Sequence, residues 1–507
     1  MSERLSRRGF LGKAAGASAG VLAAACGARD TLSAPEPAAP TARRYRQDPS
    51  GTITVVGRDV TIPTLLEYSQ DWMSETGITV EPVVIGTDLG RKILQSAVTG
   101  AFLADVQLHD DNYGAELYAR EYYSEVPEAV KAAVNWEDIV PFYRDKLSGW
   151  QDTTYGIPYD GDNMFHTYRR DIMADEENQE RFNQQYGYQM DPATGPKTWE
   201  EYRQYAAFFT GENDSVEYGF ASMFRRNGGL FWAYISRAAA YAKHPEVPDF
   251  YFNLETGEPL INSEAFVRAL GEWKEEMEQY AAPGAINVQW GETIDQFLVG
   301  RIAMLNYWAD VGKDAQDEEN STVKGDLGFH YTPGSKEVFN PIDNEWTTLP
   351  EVSYAPFFGF GGRNFAVARA SKNADAAWEF LKHACTPEMT ARVSVTPGSG
   401  MDPVRESQFD PAVWVDSPFQ WDQEQAEAYL ETIKANVTHS NIVPDLRLPG
   451  WTQYQDSLET SLSAALAGDV DPEEALNQVA DEWAVITDQL GGADRQMQFY
   501  RDLITGD

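Results

Sequence analysis

A chain of 507 residues, 42% hydrophobic and 12% aromatic, is long enough to fill two sizeable folded bodies. Its 79 acidic residues against 40 basic ones give a formal charge of −39, and such a surface repels nucleic acid and anionic lipid. The acids are spread along the whole chain, which reads as a solvated acidic surface suited to high salt ahead of a site for a cationic ligand.

The first 26 residues set the compartment. Arg4, Arg7, Arg8 and Lys13 precede a small apolar run, Ala14 to Ala25, that is too short to span a membrane and has the pattern of a signal peptide. Ser6-Arg7-Arg8-Gly9-Phe10-Leu11 looks like a twin-arginine export signal. Leu22-Ala23-Ala24-Ala25-Cys26 looks like a lipobox, although Ala23 stands where Leu or Val is commoner, so Cys26 is the expected lipid attachment point. Residues 27–50 contain Ala34-Pro35-Glu36-Pro37-Ala38-Ala39-Pro40, lack apolar periodicity and read as a disordered tether. Loss of residues 1–25 removes four basic residues and Glu3, which moves the charge from −39 to −42. Cys385 is the only other cysteine, so an acylated Cys26 leaves no intrachain disulfide in an exported setting that would permit one. The fold must then rest on its core.

Thr52 to Val56 is a β-branched run, Thr64 to Thr76 has helical character and stops at Gly77, and Ile78 to Ile85 is a second apolar run. Together they form a βαβ unit. Another helical segment, Leu89 to Thr99, stops at Gly100 and leads into the strand Asp105-Val106-Gln107-Leu108, so parallel strands with right-handed crossovers are expected. Ligands of open α/β sheets lie beyond the carboxyl ends of the strands. That singles out Arg58 and Asp59 after the first strand and His109, Asp110 and Asp111 after the third. From about Asp171 to Tyr280 the pattern is mostly helical, and Pro196-Lys197-Thr198-Trp199-Glu200-Glu201 opens a helix with Thr198 and Glu201 as a capping box. Thr293 to Val299 reads as a helix closed by Gly300, and Ile302 to Leu305 as a buried strand ending at Asn306-Tyr307-Trp308. Phe365 to Ala368 reads as a strand, and Ala376, Ala377, Phe380, Leu381 and Ala384 form the apolar stripe of a helix that begins near Ser371 or Asn373. The last hundred residues read as helical. The sequence shows no convincing internal repeat and no second membrane span.

Several of these segments carry a family resemblance. Tyr155-Gly156-Ile157-Pro158-Tyr159, the helix start Pro196 to Glu201, and Gln296-Phe297-Leu298-Val299-Gly300-Arg301-Ile302-Ala303-Met304 occur in one order, followed by Ala376 to Leu381 and Asp471-Pro472-Glu473-Glu474-Ala475-Leu476. In that order they resemble the family 1 extracellular solute-binding proteins, the sugar-binding group that includes maltose-binding protein, over essentially the whole mature chain. Insertions around Asp175 to Asp191 and Lys336 to Ala355 set the sequence apart from the group. The resemblance implies an α/β, two-lobed periplasmic-binding-protein type II fold with discontinuous lobes and a hinge. It implies a first lobe of roughly residues 51–160 and 356–396 and a second of 161–355 and 397–507. It also implies capture of a small solute, most simply a sugar, by a monomer that hands it to the permease of an ABC importer, with closure and affinity forming one equilibrium.

A sugar presents hydroxyl groups around its rim and C–H patches on its faces, so a site needs carboxylates or amides for the first and aromatic rings for the second. By resemblance, Asp110 in His109-Asp110-Asp111-Asn112-Tyr113-Gly114 is the ligand aspartate, with Asp111 beside it and Asp59 after the first strand. Asp162 falls at the crossing into the second lobe, where the alternative role is a turn former. Asp160-Gly161-Asp162-Asn163 hints at a calcium loop but lacks the remaining ligand spacing, so no metal and no cofactor are expected. Most of the 14 tryptophans are packing residues, but position raises Trp308, Trp451 and Trp290 as rings that stack on ligand. Arg405, in Pro403-Val404-Arg405, either donates to ligand hydroxyls or pairs with a lobe carboxylate.

The rival to binding is catalysis, since paired acids and aromatic clefts also build glycosidases. The sequence has no G-x-S-x-G elbow, no H-E-x-x-H and no P-loop, and its six histidines are scattered, so an enzyme is not expected. A polyamine or a phosphorylated polyol on the same fold stays open as the ligand. A polyamine site would need aromatics flanked by unpaired acids, and a phosphate site would need clustered arginines or backbone amides.

Overall fold

The apolar runs of the sequence become the central strands of two sheets in a computed structural model that describes residues 51–86, 88–210 and 215–505. The signal peptide, the tether and the Cys26 lipidation site lie outside the described residues. Nine strands build the two sheets: β1 (Gly51–Gly57), β2 (Ile78–Val84), β3 (Val106–Asp110), β4 (Ile157–Asp160), β5 (Met164–Arg169), β6 (Tyr218–Ala221), β7 (Ile302–Trp308), β8 (Leu327–His330) and β9 (Arg363–Val367). The first sheet has the order β2-β1-β3-β9-β4 and the second β8-β5-β7-β6.

Strands β1, β2 and β3 run parallel, as the βαβ reading requires, whereas β9 is antiparallel to both of its neighbours. The second sheet repeats that device, with β5 antiparallel to β8 and β7 and with β6 parallel to β7. One inverted strand per sheet brings the beginning of that strand to the edge where the parallel strands end. Both chain crossings between the sheets use those inverted strands. The chain passes from β4 to β5 through Gly161-Asp162-Asn163, where a Cβ on Gly161 would lie 2.5 Å from the Pro403 carbonyl oxygen and Asp162 adopts φ 38°. It returns into β9 through Gly359-Phe360-Gly361-Gly362, where the last three residues have φ of 67°, 73° and 79°. For the two glycines that region is unrestricted, but for a phenylalanine it is a costly conformation.

Helices cover the sheets: α1 (Leu89–Val98), α2 (Trp199–Phe209), α3 (Leu230–Ala242), α4 (Trp290–Leu298), α5 (Asp310–Asp314), α6 (Ala374–Ala384) and α7 (Trp451–Ala467) position the residues discussed below. Every residue of α3 is buried, as its apolar sequence on all sides demands. Its one charge, Arg237, is held by Glu276 at 2.7 Å and lies over the Trp199 ring. The single helix expected over 64–76 is two, Thr61–Tyr68 and Gln70–Thr76. The break falls at Ser69, whose buried hydroxyl donates back to the Leu65 carbonyl at 2.8 Å and competes with the backbone ladder. At α2, Thr198 caps the Glu201 amide as expected, but the Glu201 carboxylate accepts from the Lys197 amide rather than from that of Thr198. The insertion at 336–355 folds as a hairpin of Ser335–Asn340 and Glu345–Ser353. Burial pushes the Cys385 thiol up to about 12, which leaves it chemically inert at neutral pH. Among the described residues no helix is long and apolar enough to cross a membrane.

Candidate functional site

The strand ends of the first sheet converge on one arginine. Arg363 opens β9, so its register places it opposite Asp110 at the end of β3 and Asp160 at the end of β4. Its Nε donates to Asp110 Oδ1 at 2.9 Å, Nη1 is bonded to Asp160, and Nη2 lies 3.2 Å from Asp162 Oδ1. Arg58, just past β1, adds a longer contact to Asp110 at 3.4 Å. Burial works against the Asp110 charge, but Arg58 and Arg363 outweigh it and hold that carboxyl below its ordinary range. Among the described residues Asp162 has only the one ion pair, and its buried Oδ2 has no hydrogen-bond partner. Burial raises its carboxyl well above the usual range.

The second half supplies rings. Trp308 ends β7, Trp232 sits in the first turn of α3, and Trp451 opens α7 behind Gly450 at φ 81°. Phe360, from the return crossing, packs at 4.0 Å between ring centroids against Trp232 and stacks on Trp308 at 5.3 Å. Arg58 and Arg363 also lie over the ring, at 4.9 Å and 5.3 Å from its centroid. One buried carboxylate oxygen, Asp445 Oδ2, accepts from both the Phe360 amide and the Trp232 indole at 2.8 Å. Those bonds hold the ring in its strained backbone conformation.

Phe360, Arg58 and Trp290 divide the space between the halves into two compartments. The larger has a volume of 280 Å³ and is lined by Asp59, Asp162, Trp290, Trp308, Asp310 and Asp314, among others. The smaller, of 70 Å³, lies toward Asp110, Asn112, Tyr113, Trp232 and Trp451. Across both, the halves touch through Arg91 and Asp456 at 3.3 Å and through the Gly450 amide and Glu116 at 3.4 Å. A wider groove of 700 Å³ along Trp136, Arg144 and the Gly149 to Thr154 hairpin lies away from these strand ends.

Of the residues singled out by the sequence, Asp59, Asp162, Trp290 and Trp308 meet around the larger compartment, and Asp110 and Trp451 border the smaller. Asp111 borders neither. It is fully buried 3.0 Å from Arg447 Nε, at an angle that misses hydrogen-bond geometry, and burial pushes its carboxyl up to about 7. Arg405 is also fully buried elsewhere, donating to the carbonyls of Cys385 at 2.5 Å and Asn135 at 3.3 Å and lying 3.5 Å from Asp138. Of the two roles open to Arg405, pairing with a carboxylate is the one its surroundings match. Sequence reasoning passed over Arg363, Phe360, Trp232, Arg447, Asp310 and Asp314. A signal existed for Phe360, since three glycines in Gly359-Phe360-Gly361-Gly362 mark a close backbone approach.

Two α/β halves, two crossings at inverted strands and a cleft with walls from both halves define a two-lobed binding protein of the periplasmic type. Over residues 59–391 the chain matches the model of the family described as bacterial extracellular solute-binding protein, and it belongs to that family. Proteins of that family are exported and bind solutes. Among solved structures, the chain is similar to an ABC transporter solute binding protein of Agrobacterium radiobacter K84 in complex with ribitol, with 20% identity, 87% of this chain and 100% of that one covered, and a TM-score of 0.69. It is also similar to an ABC transporter solute binding protein of Agrobacterium vitis S4 with bound D-mannitol (19% identity, 87% and 99% covered, TM-score 0.64). A third is the maltose-bound MalE3 of T. maritima (17% identity, 86% and 99% covered, TM-score 0.67). No curated relative matches the chain.

Proposed function

We propose that this protein captures a small sugar or polyol between its lobes and delivers it to an ABC importer without turning it over. The observation that carries the reading is the 280 Å³ compartment, in which Trp290 and Trp308 offer rings to C–H patches while Asp59, Asp162 and Arg58 offer acceptors and donors to hydroxyl groups. Ligands named for the similar structures, ribitol, D-mannitol and maltose, are of this chemical kind. The lobes are read as residues 51–160 with 356–396 and residues 161–355 with 397–507. Twin-arginine export over residues 1–26, lipidation at Cys26 and a tether over 27–50 hold the binding domain at the membrane as a monomer. Calorimetry against a panel of polyols, monosaccharides and maltose tests the function. Saturable binding with the ligand recovered intact is expected, and either no binding across the panel or accumulation of product would overturn it. Mass spectrometry of protein extracted from membranes tests the anchor, because the mature chain must begin at an acylated Cys26.

A further inference from the structure

The walls of the larger compartment carry more negative than positive charge. Asp59, Asp162, Asp310 and Asp314 line it against Arg58 and Arg363. Behind the wall, Asp110 and Asp160 already share Arg363 with Asp162, and Lys313 is divided between Asp310 at 2.5 Å and Asp402 at 3.4 Å. Asp162 lines the compartment, and among the described residues its buried Oδ2 has no hydrogen-bond partner. Neutral hydroxyl groups would not discharge such a wall, whereas a protonated amine pairs with it through charge-assisted hydrogen bonds. Rings suited to an ammonium are in place, because Trp290, Trp308, Tyr307 and Phe360 line the same space. Its 280 Å³ falls at the foot of the usual range for ligand pockets, about 300–1,000 Å³, so the occupant is small.

We propose that this compartment selects a small polyhydroxylated ligand carrying one protonated amine, an amino sugar or amino polyol, over its neutral counterpart. The inference rests on the sugar or polyol reading and narrows it. Asp162 takes the ammonium with help from Asp59, while Arg58 donates to the hydroxyl groups.

Calorimetry of the full chain with two matched pairs, glucitol against 1-amino-1-deoxyglucitol and glucose against glucosamine, tests the proposal. The amine is expected to bind about tenfold tighter or more in at least one pair, as charge-assisted hydrogen bonds are the stronger kind. Asp162→Asn should bring that ratio to within about threefold. Asp59→Asn, at an exposed position where misfolding is no concern, should lower the ratio by about two- to fivefold. If the neutral member or maltose binds and the amine gains nothing, the inference is overturned and the sugar or polyol reading stands. If no carbohydrate of either kind binds, that reading falls and takes the inference with it. Calcium chloride alone giving the same saturable heat would assign the acids to an inorganic cation and also overturn the proposal.

Discussion

The two walls of the cleft solve different problems. On the first sheet's side, charges crowd at strand ends, and Arg363 spends its guanidinium on Asp110, Asp160, Asp162 and the Gly400 carbonyl. On the other side, Trp232, Trp308 and Trp451 are packed by their own neighbours and need no counter-charge. A wall made of ions has to be neutralised before it can bind anything, so much of its chemistry is internal. A wall of rings is ready as soon as it is folded. The contrast teaches that the polar wall is coupled to stability and the aromatic wall to affinity.

The strongest attempt to break that contrast is Arg363→Met, which strands three buried carboxylates. It is expected to cost about 3–5 kcal/mol of folding stability, read from urea unfolding, and a loss under about 1 kcal/mol would mean that the polar wall is not coupled to the fold. Trp308→Ala is expected to weaken ligand binding by about 1–3 kcal/mol in calorimetry on protein that is folded by circular dichroism, and unchanged affinity would remove the ring from the site. The third test uses pH. Burial holds the Asp314 carboxyl at about 7 in the folded chain, above the value of about 3.9 for an unfolded aspartate, so the folded state binds the extra proton between those values. Its contribution to stability is present in mild acid and is lost as pH rises through about 7. The urea midpoint should therefore fall between about pH 5.5 and pH 8, and Asp314→Asn should flatten that slope by on the order of 1 kcal/mol. Smallest of all is Asp456→Asn, which removes the bridge to Arg91. Both partners are more than a third exposed, so the change in stability should stay within about 0.5 kcal/mol in the same unfolding assay.

Much of the first half was legible because hydrophobic runs and glycine stops are local signals. Those signals gave β1, β2, β3 and α1 nearly to the residue, and the rule about carboxyl ends then pointed to Asp59 and Asp110. That same rule hid Arg363, because in an antiparallel strand the residue at the site edge is the first and not the last. Strands β6 and β8, with four residues each, sit inside stretches whose pattern is otherwise helical or loop-like, and too few positions exist for alternation to show. Trp232 lies on a helix buried on every side, so no apolar stripe distinguished its cleft-facing residue from its core. Asp310 and Asp314 were lost among 79 acids, where each looks like another solvated charge.

Asp445 joins the Phe360 amide and the Trp232 indole through a single oxygen, and that gives the benzyl side chain an allegiance. The Phe360 backbone amide is held on the tryptophan side by a buried hydrogen bond, while the ring is held to the arginines by ring-face attraction worth about 0.5–2 kcal/mol each. The Phe360 ring is thereby tied through its backbone to the tryptophan side of the cleft while it lies over both guanidinium groups.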